Sequence, residues 1–177
     1  MNTEAVKKVH KFEQSGLGKA PFRFVGMVVR SGPIRFTDKS GITTEIGSPG
    51  QSMGCCKYCY TGIKYCFEIV SAEGNRFDVG SECVRHTFSD GSVVRTEVER
   101  ALAQVKTTER HAREAERIAE GQSWAEEHRA ELEAITVEMW EGRTQTLAEE
   151  FDWWMSHAGN RGKLKEIRHI KTRLAPV

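Results

Sequence analysis

The hydrophobic positions of this chain change their period once, near Gly91, and the two halves read as different kinds of structure. In residues 3–14, Ala5, Val9 and Phe12 share one helical face, with Thr3 placed to cap it and Gly16 and Gly18 to end it. Residues 22–30 are β-branched and aromatic and predict a strand, which Gly32-Pro33 breaks. Residues 34–46 predict a hairpin turning at 38–41, and residues 48–54 a loop. A second hairpin joins residues 63–70 to 76–79 around Ala72-Glu73-Gly74-Asn75, with Ile63, Tyr65, Phe67 and Ile69 on one face and Cys66 on the other.

Beyond Gly91 the period is near 3.6 and no strand is expected. Val94, Val98, Ala101, Leu102, Val105, Ala112, Ala115 and Ala119 form a narrow stripe for one long helix, which Gly121 is expected to interrupt. Ser123 to Glu126 reads as a capping box opening a second helix through Trp124, His128, Leu132, Ile135 and Met139. A third helix, over residues 143–156, presents Leu147, Phe151 and Trp154, with Gly159 as its cap. A fourth, from Lys163, turns Leu164, Ile167, Ile170 and Leu174 inward. The expected fold class is α+β: a β-rich, treble-clef-like zinc module in residues 1–90, followed by an all-helical hairpin or small bundle in residues 91–177.

Composition narrows the class. With 38% hydrophobic and 29% charged residues among 177, a disordered chain is excluded. No apolar run approaches a membrane span, and residues 1–11 lack the apolar centre of a secretory signal, so a cytoplasmic location without a membrane partner is expected. The net charge of +1 conceals a partition: residues 1–87 carry +4, residues 88–159 carry −8 and residues 160–177 carry +5. In the last block Arg161, Lys163, Lys165, Arg168, Lys171 and Arg173 surround an amphipathic helix, a candidate surface for nucleic acid. The acidic middle is the alternative surface, for a host protein or a second copy of the chain.

All five cysteines, Cys55, Cys56, Cys59, Cys66 and Cys83, fall within 29 positions. Their odd number and the C-x-x-C spacing of Cys56 and Cys59 point to metal ligation rather than disulfides. A hairpin follows, then Gly80-Ser81-Glu82-Cys83-Val84-Arg85-His86 opening a short helix, where Cys83 and His86 stand three positions apart and face the same way. The expected ligands of one Zn2+ are therefore Cys56, Cys59, Cys83 and His86, with Cys66 or Cys55 as alternatives for a place in the set. A closed four-ligand site is structural; an open three-ligand site serves hydrolysis only beside a general base, and Asp78 and Glu82 are the nearby acids. No phosphate-binding loop and no H-E-x-x-H motif is present, and only His10 and His86 occur in the first 100 residues, which argues against nucleotide and nuclease chemistry. No catalytic residue is expected. Trp140, Phe151, Trp153 and Trp154 read mainly as core, with Trp153 the one most open to an outside contact.

The string Cys56-Lys57-Tyr58-Cys59, an aromatic hairpin with Ala72-Glu73-Gly74, and Val79-Gly80-Ser81-Glu82-Cys83 resembles a small zinc-binding module of bacterial and phage proteins, written C-x-x-C, strand, turn, strand, V-G-x-x-C. The resemblance covers about 30 of the 177 residues. It implies a treble-clef-like fold, three cysteine ligands without a fixed histidine at the position of His86, and a mobile-element origin. No activity is assigned to that group.

Overall fold

The computed structural model describes residues 9–138 and 143–174. The chain divides into two compact units, Met1–Val105 and Lys106–Val177, and the division falls within one long helix. The fold is α+β.

In the first unit, α1 (Lys11–Gln14) is a single turn capped by His10, whose Nδ1 accepts the Phe12 N–H at 3.2 Å. Thr3 and Ala5, expected to cap and line this helix, lie outside the described residues. Next come β1 (Arg23–Val29), β2 (Ile34–Thr37), β3 (Thr43–Ile46), β4 (Gly54–Cys55), β5 (Gly62–Ile63), β6 (Tyr65–Val70), β7 (Arg76–Val79) and α2 (Ser81–Thr87). β6 is the centre of an antiparallel sheet ordered β1-β6-β7. Its register sets Phe67 between Met27 and Val79, and Ile69 between Phe24 and Phe77, so the aromatic and β-branched content of these strands becomes cross-strand packing.

β2 and β3 pair around Asp38, whose Oδ1 accepts the N–H groups of Ser40 and Ile42 at 2.8 and 2.9 Å. Both strands are exposed, Phe36 to 66%. The core of the unit gathers Phe12, Phe22, Phe67, Ile69, Phe77, Val79 and Val84 with Val94, Val98 and Leu102 of α3 (Val93–Glu127). The opening turns of α3 thus complete this core, because a three-stranded sheet needs a partner for its apolar face.

The second unit contains the rest of α3, then α4 (Arg129–Ala134), β8 (Thr136–Glu138), β9 (Thr144–Thr146), α5 (Leu147–His157) and α6 (Asn160–Leu174). Its core is Ile118, Ala125, Leu132, Leu147, Ala148, Phe151, Ile167 and Ile170. Three expectations are corrected here. The region is not all-helical: β8 and β9 pair from Thr136↔Thr146 to Glu138↔Thr144, using β-branched residues that weakly favour extended backbone. α3 also runs unbroken through Gly121 and Ser123, so the expected capping box there does not form. The capping box is instead at α5, where the Thr146 hydroxyl accepts the Glu149 N–H at 3.1 Å and the Glu149 carboxylate accepts the Thr146 N–H at 2.9 Å. Finally, α5 ends at Ala158, in extended backbone, rather than at Gly159.

Met139 and Trp140, expected on a helix face and in an aromatic group, lie outside the described residues. Phe151 is core, whereas Trp153 is 55% exposed and stacks on His157 at 5.0 Å. Among the described residues no helix is long and apolar enough to cross a membrane.

Candidate metal centre

β4 and β5 fold residues 55–62 into a knuckle by pairing Gly54 with Ile63 and Cys55 with Gly62. Within it, the Cys56 N–H donates to the Thr61 carbonyl at 2.9 Å and the Tyr60 N–H to the Cys56 carbonyl at 2.8 Å. The close pairing requires glycine at 54, since a Cβ there would stand 2.8 Å from the Ile63 carbonyl oxygen. A further bond, from the Lys57 N–H to the Asp78 carbonyl at 2.8 Å, ties the knuckle to β7. β7 leads through Gly80 into α2, and the buried Val84 anchors that helix in the core. Cys83, in the first turn of α2, is thereby held against the knuckle.

The result is a group of three sulfurs. Cys83 Sγ lies 3.6 Å from Cys56 Sγ and 3.3 Å from Cys59 Sγ, and all three lie within 4.8 Å of one another. Cys56 is buried, Cys83 half-buried and Cys59 exposed. They open on a cavity of about 330 Å3 that Thr61, Ile63 and Tyr65 also line. Such a cluster can hold a metal ion.

Its electrostatics are uneven. Hydrogen bonding by the Thr61 side chain, 3.4 Å from Cys59 Sγ, and then by the Thr61 backbone and Cys83, brings the Cys59 thiol down to about 7. Burial, followed by its bonds to Cys59 and Cys56, pushes the Cys83 thiol well up. Cys59 therefore ionises more readily than Cys83. Thr61 was not among the residues that the sequence singled out; the only sign of it was its place two positions after C-x-x-C.

Of the expected ligands, Cys56, Cys59 and Cys83 come together and His86 does not. It is exposed on the second turn of α2, its backbone carbonyl accepts the Lys11 ammonium at 2.7 Å, and it stands outside the group of three. Cys66 is buried behind β4, where burial raises its thiol, and Cys55 is exposed. Neither joins the group among the described residues. The two nearby acids are engaged, Asp78 with Arg30 at 3.1 Å and Glu82 with Arg85 at 2.7 Å.

At the knuckle's tip Tyr60 is 78% exposed and has φ of 60°, a left-handed conformation uncommon outside glycine. The basic residues of α6 separate into classes. Lys171 places Nζ over the Trp124 ring, 4.7 Å from its centroid, and Arg173 pairs with Glu150 at 3.5 Å. Lys163 is half-buried. Arg161, Lys165 and Arg168 recur at i, i+4 and i+7, so they form one exposed stripe, and they have no ion pair among the described residues. No family model matches the chain, and neither a curated protein nor a solved structure does.

Proposed function

We propose that this chain is a non-enzymatic zinc-binding accessory protein whose first unit is a treble-clef-like module, and that it binds nucleic acid through the knuckle and the basic C-terminal helix. The observation that carries the reading is the convergence of Cys56, Cys59 and Cys83 from a knuckle and a helix start. Sulfurs bound at about 2.3 Å to a tetrahedral zinc stand about 3.8 Å apart. The separations of 3.3 and 3.6 Å need only a slight expansion to meet that geometry. Three thiolates suit zinc over harder ions. Zinc bound there would lock the knuckle to α2 and contribute folding free energy to a unit with a modest core.

A structural role for the ion is favoured over hydrolysis because Asp78 and Glu82 are each held by an arginine. A general base needs a free carboxylate within reach of the water it activates. Nucleic-acid binding is supported by the exposed Arg161, Lys165 and Arg168 stripe, and by Tyr60 and Lys57, both exposed on the knuckle. A strained exposed aromatic has no evident packing purpose and can stack on a base. The other reading is a protein-interaction module acting through the acidic block, supported by the −8 of residues 88–159. Binding of labelled single-stranded and duplex DNA and RNA across a salt series separates the two. Salt-sensitive binding supports the first, and its absence at low salt favours the second.

A further inference from the structure

Glu150 on α5 and Glu166 and His169 on α6 bring two carboxylates and an imidazole together in the second unit, with ligand atoms within 4.8 Å of one another. Glu166 and His169 are three positions apart and so leave the same side of α6. A Glu-x-x-His pair facing a glutamate from a neighbouring helix is a donor set with which helical bundles hold ions. Proximity of acids alone would mean little. What distinguishes this group is that Glu166 is only 6% exposed and that its Oε1 is buried with no hydrogen-bond partner among the described residues. Glu150 Oε2 is likewise buried without a hydrogen bond, and its one ion pair among the described residues is the 3.5 Å contact with Arg173 Nη1.

An unmet buried acceptor is costly, and more so when charged, so a cation is the natural complement of this pair. Packing alone would be served better by leucine at position 166, between buried neighbours such as Ile167 and Ile170. We propose that Glu150, Glu166 and His169 form a second metal site, distinct from the cysteine group, for a divalent first-row cation that prefers oxygen and imidazole donors. Two carboxylates and one imidazole suit ions of the Mn2+ and Fe2+ type, whereas thiolates select softer ones. Three protein ligands leave coordination positions for water, and Glu150 also faces a cavity of about 330 Å3 lined by Gln145, Trp153 and Trp154. Arg173 occupies part of this field and competes with the ion for Glu150.

The test is Mn2+ binding to the full chain, with the cysteine group first saturated with zinc, followed by loss of the free Mn2+ electron paramagnetic resonance signal. One Mn2+ per chain is expected, with at least tenfold weaker binding in Glu166→Gln and in His169→Gln. Arg173→Gln should bind several-fold more tightly, because it removes the competing cation. A purely structural carboxylate would give neither the stoichiometry nor this opposite effect. Glutamine keeps the shape of Glu166 without its charge, and unfolding curves verify that the variant folds; if it does not, the exposed His169 variant decides alone. No binding up to millimolar Mn2+, or equal affinity in wild type and the His169 variant, overturns the site.

Discussion

Ile167 of α6 lies where a side chain at position 121 of α3 would have to stand: a Cβ on Gly121 would come within 2.8 Å of Ile167 Cγ2 and 2.9 Å of its Cγ1. Real Cβ atoms do not approach so closely, so the glycine that looked like a helix stop is instead where two helices touch. In an exposed helix Gly→Ala would stabilise by about 1 kcal/mol. Here Gly121→Ala should destabilise the second unit by about 1–3 kcal/mol, through overpacking. Urea unfolding checks it, and the penalty should shrink in an Ile167→Val background. A more stable Gly121→Ala protein would show that the helices separate without cost.

The same position illustrates what the sequence conceals. In the first unit β1, β2, β3, β6 and β7 were legible because β-branched and aromatic residues alternate and turn residues bound them, whereas the two-residue β4 and β5 fell in a segment read as a loop and in the start of one longer strand. The knuckle cysteines were legible because thiols this clustered have few uses. Gly121 and Ser123 were misread because the local signals for ending a helix and for admitting a neighbour are the same; only the distant Ile167 distinguishes them. β8 and β9 escaped because three-residue strands carry no period. In the candidate site, spacing placed His86 with Cys83, yet the second turn of α2 leaves the imidazole in solvent, and the Glu166-x-x-His169 pair was hidden within a segment read as basic and amphipathic.

His10 gives the first unit a dependence on pH. Its ring packs against Phe12, Phe22 and Phe88, at centroid distances of 5.2, 4.8 and 4.6 Å. Burial lowers its pKa, outweighing Glu13 and the Thr87 backbone, which raise it, with Lys11 lowering it slightly further. A base depressed in the fold contributes stability fully above its unfolded pKa of about 6.5, and that contribution disappears as pH falls through the lower folded value. The stability advantage of wild type over His10→Asn, which keeps a capping acceptor, should therefore narrow as pH drops from 7.5 to 5.5. An advantage that stays constant or widens would contradict this account of the ring.

Three exposed charges set the expected salt dependence. If Arg161, Lys165 and Arg168 each meet a phosphate, log affinity for duplex DNA should fall with log salt at a slope near −2.7. Replacing all three with Gln should remove most of that slope. Lys171→Gln should mainly lower the stability of the second unit instead, since Lys171 sits over Trp124. Fluorescence anisotropy over a salt series and thermal unfolding provide the two readings, and a slope unchanged by the triple variant would exclude the stripe.

Tyr60 should trade stability for binding. Relief of the left-handed tyrosine by Tyr60→Gly should raise stability by about 1 kcal/mol. Loss of the ring should weaken single-strand binding by about 1–3 kcal/mol if it stacks on a base. Stability and affinity measured on the same preparation decide it, and unaltered affinity would remove Tyr60 from the interface.

The central claim is that Cys56, Cys59 and Cys83 hold zinc that the fold depends on, and its most direct measurement is the zinc content of the dialysed chain, purified without added metal, beside that of Cys59→Ser. The exposed Cys59 is chosen because its replacement leaves the buried core untouched. The account predicts about one tightly held zinc per chain, its loss in Cys59→Ser, and a fall in the thermal stability of the first unit on removal with a chelator. A wild-type chain that carries no zinc, has all its thiols reduced and unfolds no differently from Cys59→Ser would contradict it.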